Sequence, residues 1–482
     1  MRATSIEEKQ FILMTQTPMG KLIASLAIPT VISTLVTAIY NITDTFYVAH
    51  LGPSAAGAVG VVFSLMGLIQ ALGMGVGMGA ASLISRKLGQ RDQATASKYV
   101  SSAFFFGIFI GCVICALGHL NLNGLMRLLG STDTILPYAH DYATYILRAA
   151  PFMCAAFVLN TALRSEGKAF FAMIGLGTGT LLNVAIAPLF IFVFNWGISG
   201  AAIAVWICQT ISLLILLSFY LQGKSICSLS FRLISYHPTD YLDLIRYGFP
   251  TTLRQGCASL AMALLNAQAA IFGDVAVAAI SITMKIYMGV RGIVLGIGQA
   301  MQPVAGYNHG AQLYDRVKQA FWVTTRVGTT LCVLFAILFY IAAEPIVAVF
   351  NTGNEEVVRL GIETLHFFCL AMPFLAYSTY VNQLLQILGQ SKSATFLAAC
   401  RQGIMFIPLI LILPHYFGRL GVEATQAGAD ILTFFVSIPF LVCFFRGYDR
   451  LVQCQQSARH KGSVYLMHQL SSESFHWEQS VE

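Results

Sequence analysis

One carboxylate, Asp44, is the only formally charged side chain between Lys21 and Arg86. The stretch around it is apolar or weakly polar, and it is long enough to cross a bilayer twice, because about 20 helical residues span the hydrocarbon core. An ionised acid at the centre of a spanning helix costs about 2.5–3.5 kcal/mol. Asp44 is therefore a candidate coupling site that gains and loses a proton. The alternative is an acid at a helix end that reaches interfacial water.

Apolar segments of similar length recur along almost the whole chain. Of the 482 residues, 57% are hydrophobic and 10% are charged, whereas soluble domains carry roughly 25% charged residues. The mean hydropathy is +0.72. We predict an all-α integral membrane protein with twelve transmembrane helices. Their predicted bounds are 21–48, 55–85, 97–118, 138–163, 170–194, 198–221, 241–272, 275–305, 317–342, 358–388, 393–414 and 422–446.

The basic residues fall on one side of this predicted bundle, in the loops that follow the even-numbered helices. The opposite loops are nearly free of Lys and Arg, with Arg127 and Arg419 as the main exceptions. The positive-inside rule then predicts that both termini are cytoplasmic. The basic residues that follow the even-numbered helices are Arg86, Lys87, Arg91, Lys98, Arg164, Lys168, Lys224, Arg232, Arg316, Lys318 and Lys392.

The two halves of the chain resemble each other at a constant offset in the numbering, which aligns Pro29 with Pro250 and Gly89 with Gly310. Six helices per half give both halves the same orientation, as parallel repeats with the substrate path between them. We therefore predict two six-helix lobes around a central cavity. The predicted segments are an N-terminal cytoplasmic segment (1–20), an N-lobe (21–222), an inter-lobe linker (223–240), a C-lobe (241–447) and a polar cytoplasmic tail (448–482).

Glycines are concentrated in the second predicted helix, where four of them alternate with other residues over 73–79. No strand precedes them and no Lys-Ser/Thr pair follows, so a phosphate-binding loop is excluded. Their spacing instead favours close helix–helix approach. Because no Walker motif occurs in the chain, an ion gradient is the expected energy source, and no cofactor is expected besides H⁺ or Na⁺.

The first predicted helix combines a proline with a polar face. Pro29 removes one backbone hydrogen bond and is either a static kink or a hinge. Asp44 lies roughly 22 Å further along the helix at 1.5 Å per residue. Tyr40, four residues before Asp44, shares its helix face. The position that matches Asp44 in the second half is Leu265, so only the first half carries the acid.

The second half has a polar set of its own within its predicted helices. Intramembrane ions usually face a cavity and pair with one another. Asp430 could pair with Arg254, Lys285 or Arg401, or the set could contact substrate. The polar residues are Arg254, Gln255, Asn266, Gln268, Lys285, Arg291, Gln299, Gln302 and Asp430.

Four sequence segments resemble the multidrug and toxic compound extrusion (MATE) family, in its bacterial DinF- and MepA-like branch. They are NITDTFYVAHLG at 41–52, RKLGQ at 86–90, NVAIAPLFI at 183–191 and QAMQPVAGYNHGA at 299–311. The likeness extends in order over about residues 15–447. It implies a two-lobed exporter of organic cations and other amphipathic compounds, which exchanges them for protons or sodium by alternating access.

The resemblance also implies roles for particular residues. Asp44, Tyr40 and Asn183 match a hydrogen-bonded polar cluster of the first lobe, where helix 1 bends as the acid is protonated. A second acid found in many members is replaced by Ala187, and Ala258 stands near the place of a glutamate that some members use for sodium. These departures leave a single-carboxylate site centred on Asp44, for which H⁺ is the expected ion.

These observations favour a secondary antiporter in the bacterial inner membrane that acts as a monomer on organic cations and drugs, with no nucleic-acid partner. A lipid-linked oligosaccharide flippase is an alternative, because Arg254, Lys285 and Arg291 could bind pyrophosphate. A membrane enzyme is a further alternative, but it requires a convergent nucleophile, base or metal set. The ten histidines are scattered and no H-E-x-x-H motif occurs.

Overall fold

The computed structural model describes residues 6–349 and 355–460, without the side chains of residues 41, 42, 44–46, 49, 53, 451 and 454–460. These two ranges are helical with short connections. The helices are α1 Ile6–Gln16, α2 Met19–Ala49, α3 Pro53–Gly89, α4 Gln93–Leu120, α5 Leu122–Leu128, α6 Leu136–Ser165, α7 Ala169–Pro188, α8 Gly197–Leu221, α9 Pro238–Ala270, α10 Asp274–Gly310, α11 Tyr314–Ile341, α12 Ala343–Ala348, α13 Glu355–Ile387, α14 Ser391–Ala399, α15 Phe406–Phe417 and α16 Arg419–His460.

Two π-helical turns adjoin α-helices, one at Leu189–Val193 after α7 and one at Cys400–Ile404 between α14 and α15. The predicted helix at 393–414 therefore consists of two α-helices joined by a π turn. The segment 1–20, predicted only as polar, contains α1. The last helix continues to His460, beyond its predicted end at 446.

Eleven helical stretches of the described chain are long and apolar enough to cross a membrane. The remaining predicted span, 241–272, corresponds to α9, which is equally long but carries Asp243, Arg246 and Arg254 within its first half. Charge on this helix lowers its hydropathy without shortening it. The prediction of an all-helical, multi-pass membrane protein is confirmed.

The helices form two lobes with matching internal packing. In the N-lobe, α3 packs mainly against α6, and in the C-lobe the equivalent helix α10 packs against α13. Across the lobes, α3 packs against α9 and α10 packs against α2. The two contacts between the lobes are equivalent, because α10 is the counterpart of α3 and α9 is the counterpart of α2. Parallel repeats related by a two-fold axis would pack in this way.

Small residues let the lobes approach closely at two places related by the repeat. A methyl group added at Gly296 would lie 2.9 Å from Cγ2 of Val31, and one added at Gly75 would overlap the hydroxyl of Thr252. The repeat offset that aligns Pro29 with Pro250 also aligns Gly75 with Gly296 and Val31 with Thr252. Close backbone approach of this kind is typical of helix pairs in membranes.

Two threonine hydroxyls donate hydrogen bonds across the same interface. Thr252 donates to the carbonyl oxygen of Ala71 at 3.2 Å, and Thr34 donates to that of Gly292 at 3.3 Å. The same repeat offset aligns Ala71 with Gly292, so the two acceptors are equivalent positions. Hydroxyl-to-backbone bonds satisfy polar groups within the membrane, where water is scarce.

The α3–α4 and α10–α11 loops lie together at one end of the bundle, which we call the basic end, and α1 contacts both lobes there. The guanidinium of Arg91 lies 4.2 Å from the ring centre of Phe11. On the C-lobe side, Asn308 Nδ2 donates to the Met14 carbonyl at 3.1 Å and Arg316 Nη2 donates to the Thr17 carbonyl at 2.9 Å. Helix α1 therefore bridges the lobes at the basic end.

Candidate functional site

Helices α2 and α7 contact each other in the N-lobe and carry the predicted coupling residues. The hydroxyl of Tyr47 donates to the carbonyl oxygen of Val184 at 3.4 Å. Asp44 belongs to α2, three residues before Tyr47, and Asn183 precedes Val184 in α7. The side chain of Asp44 lies outside the described residues. The hydrogen bond from Tyr47 to Val184 nevertheless shows that the two helix segments lie together.

The Asn183 side chain is buried, with 3% of its surface exposed. Its Nδ2 atom has no hydrogen-bond partner among the described oxygen and nitrogen atoms, and the nearby Cys208 thiol is only a weak acceptor. Buried polar groups are nearly always hydrogen-bonded, so an unmatched amide donor at this contact indicates a place for an acceptor. Tyr40 is partly buried on the same helix as Asp44.

Pro29 lies inside α2, which continues through it from Met19 to Ala49. The proline lacks the N–H that would bond one turn back. The next residue, Thr30, is buried and its hydroxyl donates to the Leu26 carbonyl at 2.7 Å. The helix is thus supported by a side-chain bond beside its missing backbone bond. Whether Pro29 is a hinge stays a prediction.

In the C-lobe, Asp430 is fully buried and both of its oxygens are occupied. Oδ1 accepts from Arg401 Nε at 2.6 Å and from Gln426 Nε2 at 3.3 Å. Oδ2 accepts from the hydroxyl of Tyr287, which itself accepts from Arg401 Nη2 at 2.8 Å. Among the three partners considered from sequence, the structure selects Arg401.

Two further arginines of the C-lobe lie near the middle of their helices, Arg254 in α9 and Arg291 in α10. Both are partly buried, and neither forms a salt bridge with an acid whose side chain the structure describes. The Nε atom of Arg291 is buried without a hydrogen-bond partner within the described chain. A cavity of about 50 Å³ adjoins it. Its lining consists of Ala258, Ala261, Met262, Leu265, Met284, Tyr287, Met288, Arg291, Gln402, Phe406 and Gln426.

The other members of the predicted polar set lie elsewhere. Gln299 accepts a hydrogen bond from Arg164 of the N-lobe, so it belongs to the contact between the lobes. Gln255 is partly buried, whereas Asn266 and Lys285 are exposed. The set predicted from sequence therefore does not converge on one place.

A buried acid just beyond the N-lobe helices was missed in the sequence. Glu166 caps the end of α6 and is fully buried. It accepts hydrogen bonds from the Ser225 hydroxyl at 2.7 Å, the Ile226 amide at 2.7 Å and the Tyr220 hydroxyl at 3.3 Å. Burial raises the pKa of its carboxyl from 4.5 to about 7. Its neighbours Arg164 and Lys168 made it look like an ordinary loop charge in the sequence.

The chain matches the family model MatE twice, over residues 29–189 and 250–412. It is 24% identical over 422 residues to the multidrug export protein MepA of Staphylococcus aureus strain MRSA252, which covers 86% of this chain and 92% of that protein.

Two solved structures have the same fold. A crystal structure of MATE in complex with MaL6 superimposes with a TM-score of 0.87 at 24% identity, over 92% of this chain and 99% of that one. An outward-facing multidrug resistance MATE family transporter of the MOP superfamily gives the same TM-score and identity over 93% and 100%. The two-lobed arrangement described above is thus a known transporter fold.

Proposed function

Because the chain belongs to the MATE family, whose members are multidrug efflux transporters and not enzymes, we propose that it exports amphipathic organic compounds, cations among them, by secondary antiport against H⁺ or Na⁺. The similarity to MepA across most of both chains supports a drug-like substrate class. The absence of a Walker motif from the sequence supports a gradient as the energy source.

We assign ion coupling to Asp44, with Tyr40 and Asn183 as its neighbours. The observation that carries this assignment is the α2–α7 contact at Tyr47 and Val184, next to the unmatched amide of Asn183. An acid with no other charged residue near it in a spanning helix has a high free energy when ionised, so protonation changes its preferred surroundings. Pro29 would allow the rest of α2 to respond to that change.

The direct test is dye uptake into inverted membrane vesicles that contain the protein. Wild-type vesicles are expected to accumulate a cationic dye when a proton or sodium gradient is imposed, and to stop when that gradient is collapsed. Collapsing the two gradients separately identifies the ion. Asp44→Asn is expected to abolish gradient-driven uptake because an amide cannot exchange a proton.

Asp133→Asn is the matched control. Asp133 is an exposed N-lobe acid that pairs with Arg127 at 2.9 Å in a loop, so its amide should transport normally. Gradient-driven uptake that is unchanged in Asp44→Asn would remove Asp44 from the mechanism.

We also propose that the basic end faces the cytoplasm of a bacterial cell and that the transporter acts as a monomer in the inner membrane. The positive-inside rule supports this orientation. A green fluorescent protein fused to the C-terminus should fluoresce, because it folds only on the cytoplasmic side. Light scattering of the purified protein should give a protein mass near 52.4 kDa.

A further inference from the structure

The middle of the C-lobe has more positive than negative charge. Arg254, Arg291 and Arg401 supply three guanidinium groups, and Asp430 is the one carboxylate that contacts any of them among the described side chains. Arg401, Gln426 and Tyr287 already occupy both oxygens of Asp430. Within this part of the described chain, two guanidinium groups are therefore left without an anionic hydrogen-bond partner.

Arginine keeps its charge in proteins, so these two groups cannot escape the imbalance by losing a proton. Arg291 is repelled by Arg401 and Arg254 and attracted by Asp430, whose oxygens are already hydrogen-bonded to other side chains. Unpaired charges are rare at this depth of a membrane protein, and those that occur usually mark a ligand pathway. An anion that enters would therefore lower the electrostatic energy of these arginines.

Arg291 lines the C-lobe cavity, and helix periodicity places Arg254 one turn beyond the part of α9 that lines it. On α9, Arg254 precedes the lining residues Ala258 and Ala261 by four and seven positions, so it continues their face. On α10, Arg291 follows Tyr287 on the lining face and itself borders the cavity. The two guanidinium groups belong to neighbouring helices at similar depth, since each is near the midpoint of its helix.

We propose that Arg254 and Arg291 bind the anionic group, a carboxylate or a phosphate, of the amphipathic compounds that the protein exports. This assignment rests on the proposed export function and extends its substrate class from organic cations to compounds with an anionic group, zwitterions included. Arginine suits this role because its planar fork matches carboxylate and phosphate oxygens in pairs of hydrogen bonds.

The cavity fits such a group. Its volume of about 50 Å³ exceeds the roughly 30 Å³ share of one water molecule, so a carboxylate can enter. Tyr287, Gln402 and Gln426 add polar atoms to its lining, while Met262, Met284 and Met288 line the apolar part. Methionine side chains are flexible, so they can make room for apolar bodies of different shapes.

The test is direct binding of two probes with the same apolar body to the purified full-length protein in detergent. We use pyrenebutyrate and a pyrenebutyl-trimethylammonium ion and measure fluorescence anisotropy. The wild type is expected to bind the carboxylate probe more tightly than the cation. Arg254→Gln and Arg291→Gln are each expected to weaken carboxylate binding about 10–100-fold and to leave the cation unaffected or bound more tightly.

Lys285→Gln is the matched control. Lys285 is a cation of the same helix as Arg291, but it is exposed and does not line the cavity. It should leave carboxylate binding unchanged. Arg291→Lys should retain part of the affinity, because the charge remains while the paired hydrogen bonds are lost. Equal loss in Lys285→Gln and Arg291→Gln, or tighter binding of the cation by the wild type, would overturn the proposal.

Thermal unfolding separates ligand binding from a structural role. Removing an unpaired charge should leave the unfolding temperature unchanged or raise it. Added pyrenebutyrate should raise the unfolding temperature of the wild type only. A ligand site would be contradicted if both Gln variants unfolded at a much lower temperature and the probe did not raise the unfolding temperature of the wild type. The binding and unfolding measurements use purified protein without an ion gradient. Their outcome therefore does not depend on whether antiport is observed in vesicles.

A lipid headgroup and a soluble substrate could supply the same anionic group. Nanodiscs of phosphatidylcholine with and without phosphatidylglycerol distinguish these sources. Displacement of pyrenebutyrate by dodecyl phosphate alone supports a soluble amphiphile at the site. Displacement by phosphatidylglycerol as well supports the same site with a lipid as its natural ligand, as in a flippase. Displacement by neither compound would count against the proposal.

Discussion

Gly89 and Gly310 pack against each other where α3 and α10 end, and they are equivalent positions of the two repeats. A methyl group added to either glycine would lie 3.0 Å from the Cα atom of the other. It would also overlap a carbonyl oxygen of the opposite lobe, that of Tyr307 or that of Arg86. A residue that meets its own repeat counterpart lies at the two-fold axis, so the axis passes through the basic end at this pair.

The Gly89→Ala variant is expected to destabilise this arrangement of the lobes by about 1–3 kcal/mol, because a backbone contact cannot rotate out of the way. Gly310→Ala should have a similar effect, since the site is symmetric. The measurement is the thermal unfolding temperature of purified variants. Gly67→Ala in the same helix α3 is the control, as nothing lies within 4 Å of its added methyl group. Equal unfolding temperatures for all three variants would contradict the proposed close contact.

The Asp430→Asn variant is expected to lower the yield of folded protein sharply. It leaves the Arg401 guanidinium buried without its anion, and breaking a buried pair typically costs about 3–5 kcal/mol. Replacing both partners, as in Asp430→Asn with Arg401→Gln, should recover much of that loss, because no uncompensated charge remains. Detergent-resistant protein measured by fluorescent size-exclusion chromatography reports the outcome. A double variant less stable than either single variant would indicate a role beyond the pairing.

The attachment of the 223–235 segment to the N-lobe is expected to weaken as the pH rises. Burial raises the pKa of Glu166 to about 7, although the hydrogen bonds from Ile226 and Ser225 act in the opposite direction. A carboxyl whose pKa is higher in the folded state than its ordinary 4.5 contributes stability below pH 4.5, and that stability is lost as the pH rises through 7. The shift corresponds to about 3 kcal/mol.

Hydrogen exchange of the amides around Ser225 and Ile226 measures this effect, after correction for intrinsic exchange. Protection should fall between pH 5 and 8 in the wild type. Glu166→Gln should show protection that is independent of pH over the same range, because its amide does not titrate. Wild-type protection that is constant or increases with pH would refute the assignment to Glu166.

Lys98 and Asp240 form an ion pair of 2.7 Å between α4 of the N-lobe and the first turn of α9. Burial alone raises the pKa of Asp240, but the hydrogen bonds from Lys98 and Ser235 outweigh it and hold the pKa below 3.8. The pair thus contributes stability above pH 4, and this contribution is lost as the pH falls further. Because Lys98 is partly exposed, a double-mutant cycle should give a coupling of about 0.5–1 kcal/mol.

That cycle uses Lys98→Gln and Asp240→Asn, with thermal unfolding at pH 7 as the measurement. The pair Lys87–Asp92 serves for comparison, since its atoms are 3.7 Å apart and both side chains are about a third exposed or more. Its coupling should be smaller. Equal coupling in the two pairs would show that geometry at the Lys98–Asp240 site has no special effect.

The lobed fold could be predicted from sequence because length and apolarity alone determine a spanning helix. The constant offset between the halves identified which helices are equivalent. The contact of Gly75 with Thr252 accordingly has an equivalent contact elsewhere in the interface between the lobes. Helix α1 could not be predicted in the same way. It has little amphipathic character, and it is held by side chains of both lobes, Arg91 of the N-lobe and Asn308 of the C-lobe.

The candidate sites were less predictable than the helices. Three cations of the second half were chemically suitable partners for Asp430, and the one that pairs with it, Arg401, lies in the π turn at Cys400–Ile404. Tyr287 carried no signal in the sequence, because a tyrosine in an apolar helix is commonly a core residue. Lys285 was grouped with the arginines because it lies within a predicted spanning helix, and it is exposed.

We expect the contacts of α1 to affect the rate of transport more than its selectivity. In the proposed alternating-access cycle, separation of the lobes at the basic end would break the contacts of α1 with Arg91 on one side and with Asn308 on the other. None of these residues borders the C-lobe cavity. Changes in α1 can therefore alter how often the cycle turns over while the affinity for the transported compound stays the same.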